Sequence, residues 1–147
     1  MWPFAAPKPA PVVIIRNVLG EQIDVVYARE LSGQDLRGRQ WAHADLSGLS
    51  LYGAQCDGIN LFGSRLYRTD FQKASLRGAE LAFSYAAGAT FRGSDMRGCS
   101  LYRAEIGVRR SRHASADFTD ALVDEATDIP EQKVCFVKVD GRAALLP

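Results

Sequence analysis

Histidine occurs only twice in this chain, at His43 and His113, and its three cysteines form no C-x-x-C pair. A metal centre needs such side chains clustered at ligand spacing, so no metal site is expected. G-x-S-x-G, phosphate-loop and dinucleotide signatures are absent, and nothing near Ser111, His113 and Asp117 orients a nucleophile. A non-enzymatic protein without a cofactor is expected. Apolar runs are short: none approaches the roughly 20 residues that cross a bilayer. The N-terminus lacks the basic flank and apolar stretch of a signal peptide. No membrane partner is expected, and a reducing, cytoplasmic setting fits the few cysteines. A surplus of either charge is lacking too. With a net charge of +1, the chain has no general phosphate-binding surface, which argues against a nucleic-acid partner. Proline is scarce except at the start, where four of six fall within Met1–Pro11.

A period of five fills the middle of the chain. Leu31, Leu36, Trp41, Leu46, Leu51, Cys56, Leu61, Leu66, Phe71, Leu76, Leu81, Ala86, Phe91, Met96, Leu101 and Ile106 are sixteen successive apolar positions at that spacing. From Ala44 onward, a small residue mostly stands two places before each centre; Leu49 and Ile59 are exceptions. Two places after the centre, glycine dominates, and this phase holds ten of the thirteen glycines. Neither a helix (3.6) nor an alternating strand (2) has this period. It fits a chain that turns a corner once per unit, with glycine tolerating positive φ at the corner. Four units would close a coil of twenty residues, and coils would stack about 4.8 Å apart as paired strands. Cys56 and Cys99 fall in inward phases and are expected to be buried thiols.

Ala44-Asp45-Leu46-Ser47-Gly48, Ala74-Ser75-Leu76-Arg77-Gly78, Ala79-Glu80-Leu81 and Ala116-Asp117-Phe118-Thr119-Asp120 follow the pattern A-(D/N)-L-x-x. The chain here resembles the pentapeptide-repeat family, from Arg29 to about Glu125. The resemblance implies an all-β fold, a right-handed quadrilateral β-helix, and roles in scaffolding and interaction; the best-understood members bind DNA gyrase as mimics of duplex DNA. Mimicry needs a strongly negative face, whereas the uninterrupted repeats from Arg29 to Val108 have ten Lys/Arg against eight Asp/Glu. Arg37, Arg77 and Arg97 stand where a mimic would carry acids.

A solenoid needs its ends covered, or its open strand edges invite end-to-end self-association. Val12–Val18 and Ile23–Tyr27 read as an N-terminal hairpin, and Lys133–Val139 and Arg142–Leu146 flank the turn signal Asp140-Gly141. A short turn or helix is expected within the acidic stretch Asp117–Asp128. The resulting division is an extended Pro-rich arm at 1–11, a cap at 12–28, the β-helix at 29–126 and a cap hairpin at 127–147. Twelve residues separate Ile106 from Phe118, two more than two repeats. The interruption at 107–115 is expected to bulge as a basic loop carrying Arg109, Arg110, Arg112 and His113.

Three features point to protein partners. The first is the loop. The second is outward columns twenty residues apart: Arg37, Asp57, Arg77 and Arg97 on one face, and Ala42, Phe62, Ala82 and Tyr102 on another. Arginine and aromatics are enriched at interfaces. The third is the arm, with Trp2 and Phe4 as anchors for a partner's pocket. The expected function is a rigid module docked onto a larger assembly, a virion cement or decoration protein being one instance. The alternative is a regulator that binds an enzyme such as gyrase through the Arg109–His113 loop.

Overall fold

In each unit from Leu31 to Leu101 the carbonyl of the central apolar residue accepts the N–H three residues on, as in Ala44 N to Trp41 O, Ala54 N to Leu51 O and Ala79 N to Leu76 O, all 3.0 Å. The residue before that donor has positive φ, which defines a type II turn. Glycine fills most such corners, but His43, Arg68, Lys73, Phe83, Arg103 and Asp120 occupy the rest, with φ between 51° and 59°. The computed structural model describes residues 9–107 and 115–130, and the backbone of two strands farther on. Helix is absent among the described residues.

Four parallel ladders, one per side, tie the coils together. One side runs Asp35–Gln55–Ser75–Asp95–Leu122 and the next Gln40–Asn60–Glu80–Ser100–Asp128. The other two run Asp45–Arg65–Tyr85–Glu105 and Ser50–Asp70–Thr90–Asp117. A step of twenty residues makes each coil four pentapeptides, a quadrilateral β-helix. All sixteen centres are buried, and in one column phenylalanine stacks on phenylalanine. Phe71 lies 5.1 Å from Phe91, and Phe91 4.9 Å from Phe118, with nearly parallel rings. Of the two exceptions in the small-residue phase, Ile59 is fully buried while Leu49 is 36% exposed at the N-terminal end.

Small inward residues suit the corners because a large side chain would collide with its coil neighbours. Of the four polar ones, three bond to the backbone: Ser64 Oγ donates to Trp41 O and Thr69 Oγ1 to Leu46 O, both at 3.0 Å, and Ser94 Oγ to Phe91 O at 2.7 Å, whereas the buried Ser84 hydroxyl has no partner. A buried hydroxyl without such a partner costs about 1–3 kcal/mol.

The interruption differs from the sequence expectation. Thr90 pairs with Asp117 and Asp95 with Leu122, steps of twenty-seven in place of twenty. Phe118 is therefore the next centre after Ile106, and the gap holds one repeat plus seven inserted residues, not two repeats plus two. The insertion leaves and rejoins at a tight neck, where Ala116 N donates to Ile106 O at 2.7 Å. A Cβ at Gly107 would stand 2.6 Å from Ser115 Cα. Residues 108–114, with Arg109, Arg110, Arg112 and His113, lie outside the described residues.

The stretch expected to hold a turn or short helix has turns at 119–120 and 125–126 and no helix. It continues the coil to Asp128, because its residues still have ladder partners below them. Asp124 Oδ1 accepts the Gly98 N–H at 2.9 Å, and Thr127 Oγ1 donates to Met96 O at 3.0 Å.

At the N-terminal end, β1 (Val13–Arg16) and β2 (Gln22–Val26) form an antiparallel hairpin with Val13 opposite Val26. Asn17 Oδ1 closes the turn by accepting the N–H groups of Leu19 and Glu21, each at 3.0 Å. Ile15 and Val26 join the core, and Asn17 bridges Ala44 of the first full coil. Asp24 locks the junction: its carboxylate accepts the buried Trp41 indole N–H at 2.6 Å and pairs with Arg39 at 2.9 Å. Burial raises the Asp24 pKa, but the bonds from Trp41, the Val25 N–H and Arg39 outweigh it and hold the carboxyl below its usual value. At the other end, β3 (Leu122–Val123) pairs in parallel with β4 (Val137–Val139), and β4 antiparallel with β5 (Arg142–Ala144). The intervening Asp140-Gly141 lies outside the described residues.

Candidate protein-interaction face

Aromatic side chains gather on one corner of the solenoid. Phe62 and Tyr102 project from the residue after a centre, two coils apart. Phe83 projects from the corner itself in the coil between them, and fills the gap that Ala82 leaves. The rings form a continuous line: His43 to Phe62 at 5.7 Å, Phe62 to Phe83 at 5.4 Å and Phe83 to Tyr102 at 5.8 Å. The Arg103 guanidinium ends the line, 5.7 Å from the Tyr102 ring and 5.9 Å from Phe83. Phe62, Phe83 and Tyr102 remain 37%, 41% and 50% exposed. Contacts between rings stabilise each by about 0.5–1.5 kcal/mol beyond burial, so the line is stiff as well as apolar.

Around the corner, Tyr67 and Tyr85 lie 6.2 Å apart. With Val18, His43, Gly63 and Arg65 they line an open cleft of about 360 Å³. Burial, and then the Glu105 carboxylate, push the Tyr67 phenol pKa up, so its hydroxyl keeps its proton.

Phe62 and Tyr102 thus stand together, with Phe83, His43 and Arg103 added to them. Sequence reasoning missed these three because they occupy glycine's corner phase. The signal was present, since a phenylalanine at a positive-φ corner is strained and needs a reason.

Arg37, Arg77 and Arg97 form their own column on the adjacent side, and it is largely neutralised. Arg37 binds Asp35 and Arg97 binds Asp95, each at 2.6 Å, while Arg77 reaches Asp95 at 4.0 Å. The Arg37 bonds hold the exposed Asp35 carboxyl at about 2. Hydrogen bonding from Arg97 likewise lowers Asp95 despite its burial. Trp2 and Phe4, like the loop arginines, lie outside the described residues.

No group of His, Cys, Asp and Glu able to hold a metal occurs among the described residues. No described helix is long and apolar enough to cross a membrane. Cys56 and Cys99 are buried free thiols; desolvation pushes Cys56 up to about 12 and raises Cys99 as well. Chemically, the surface offers aromatic, cation–π and hydrogen-bonding contact.

Residues 64–101 match the family model for pentapeptide repeats, in eight copies. Residues 64–101 are pentapeptide repeats by this match, and the ladders run through the same residues. The family implies a right-handed β-helix. No curated protein matches the chain. Among solved structures, a pentapeptide repeat protein from the Arabidopsis thaliana thylakoid lumen aligns at 22% identity and TM-score 0.34, over 62% of this chain and 69% of that one. One from Nostoc aligns at 23% and 0.39, over 63% and 75%. QnrB1, a plasmid-mediated fluoroquinolone resistance protein, aligns at 18% and 0.40, over 76% and 61%. The family match rests on the repeats themselves.

Proposed function

We propose that this chain is a non-enzymatic interaction module, a rigid β-helical peg that docks onto a larger protein assembly through the His43–Phe62–Phe83–Tyr102 line. The observation that carries this reading is the line itself. Exposed rings packed edge-on and tilted along a stiff backbone present apolar area with little entropy left to lose on binding. Pentapeptide-repeat proteins serve generally as scaffolds and partners, which agrees. In this reading the two hairpins cap the solenoid, the arm at 1–11 and the basic loop add secondary contacts, and the buried thiols suit a reducing compartment. The ion-paired Arg37, Arg77 and Arg97 column is a weaker contact, since each pair must be desolvated. A virion setting draws no support from the face or from the relatives.

Affinity purification from the native source tests the proposal, comparing the full chain with Phe62→Ser and Tyr102→Ser. A stoichiometric protein retained by the first and lost from the variants is the expected result. Equal recovery by all three would refute the face. The second reading, an enzyme regulator of the gyrase-binding kind, is favoured by the seven-residue basic insertion on its tight neck. It predicts that Arg109→Ala with Arg110→Ala abolishes an effect on gyrase supercoiling.

A further inference from the structure

We propose that a second copy of this chain packs side to side against the face next to the aromatic corner, the two solenoids antiparallel about a two-fold axis at Tyr85. The inference rests on reading the line as a contact surface, and it names one partner for it. The face holds the corner column His43–Gly63–Phe83–Arg103 and the ladder Asp45–Arg65–Tyr85–Glu105, and the open cleft is lined from both. Charge is one support. Among the described residues Glu105 and Arg103 have no ion-pair partner, and Arg65 has only Asp45, at 3.7 Å. Arg65 and Glu105 stand in one ladder, one coil either side of Tyr85. In a two-fold dimer, if residue i meets j then j meets i. Turning a second copy about Tyr85 therefore sets Arg65 against Glu105 and Glu105 against Arg65, with Tyr85 on Tyr85. The column is its own complement.

Shape is the second support, and it selects the same register. The corner column carries a side chain at every level except Gly63. At that level the surface opens into the cleft of about 360 Å³, walled by Tyr67 and Tyr85. Arg103 projects two coils away, level with Glu105, and is exposed. The rotation that pairs Arg65 with Glu105 also brings Arg103 over Gly63 of the other copy. Its guanidinium already lies on Phe83 and Tyr102 and presents its other face to the two phenol rings of the cleft. Phe83 meets Phe83 on the axis. Exposed arginine, tyrosine and phenylalanine are the residue types that interfaces favour. The contact spans three coils, a small interface, so the association is weak.

Sedimentation equilibrium of the purified full chain tests the dimer. At about 100 µM, enough to populate a weak complex, the mass should rise toward twice 16.1 kDa. Arg65→Glu and Glu105→Arg should each weaken association by about 10–100-fold, because every reversal acts twice in the dimer. Both side chains are exposed, so both variants should melt as the parent does. Mixing the two variants should restore the dimer, since each contact then again joins unlike charges. Combining both reversals in one chain should do the same. Arg77→Glu, on another side, should change nothing. A chain still monomeric at about 100 µM would overturn the proposal. So would a dimer indifferent to Arg65 and Glu105, or single variants that fail to complement each other. The experiment contains only this chain, so its outcome is independent of whether a larger partner is recovered through Phe62 and Tyr102.

Discussion

A double-mutant cycle on the phenylalanine stack tests the placement of the insertion. Phe91 sits between Phe71 and Phe118, fully buried, with centroid distances of 5.1 and 4.9 Å. Truncation to alanine would cost about 3–5 kcal/mol, enough to threaten a domain of ordinary stability, about 5–15 kcal/mol. Leucine is the better probe, because it keeps most of the volume and limits each single loss to about 1–1.5 kcal/mol. What it removes is ring-on-ring contact, worth about 0.5–1.5 kcal/mol per pair. Urea unfolding of Phe91→Leu, Phe118→Leu and the double variant should therefore show a coupling of about that size. Phe71 with Phe118, two coils and roughly 10 Å apart and joined only through Phe91, should couple less than the Phe91–Phe118 pair. Were the gap two repeats plus two, Phe118 would stack elsewhere. An additive Phe91–Phe118 pair would refute the one-repeat-plus-seven assignment.

Arg68 has a φ of 55° at a corner; Arg68→Gly should raise stability by about 0.5–1 kcal/mol in thermal melts, relief of left-handed strain exceeding glycine's entropy. Gly58→Ala, at φ 65° with nothing within 4 Å of the new methyl, should lower it by about 1 kcal/mol through the backbone alone. The Asp24 carboxyl is lowered in the folded state, so its contribution is complete above the unfolded value of 3.8 and is lost as pH falls through the lower folded value. Asp24→Asn should weaken that loss and cost about 1–3 kcal/mol at neutral pH by chemical denaturation. Cys56 and Cys99 should resist thiol reagents at neutral pH until the chain unfolds, and their modification rate should track denaturant.

Much of the β-helix was legible in the sequence because its core is one-dimensional. Each coil meets only its neighbours, so position in the repeat sets burial, and every centre from Leu31 to Ile106 obeys the phase. The interaction face was legible in part. Phe62 and Tyr102 could be aligned by counting twenties, but Phe83 and His43 belong to a different phase. Only the direction of a positive-φ corner brings their rings into the same line. Arg37 and Arg97 were visible as a column, whereas their neutralisation by Asp35 and Asp95, two residues earlier, depends on side-chain geometry.

By itself, the sequence determined the period, the inward and outward phases and the glycine corners. These are local properties, fixed by what five residues can do in one turn. Tertiary structure alone decided which coil Phe118 joins, how Asp24 of the hairpin holds Trp41 and Arg39, and which exposed rings touch. Each of these is a contact between residues far apart in the chain, and no local rule selects the partner until the coils have stacked.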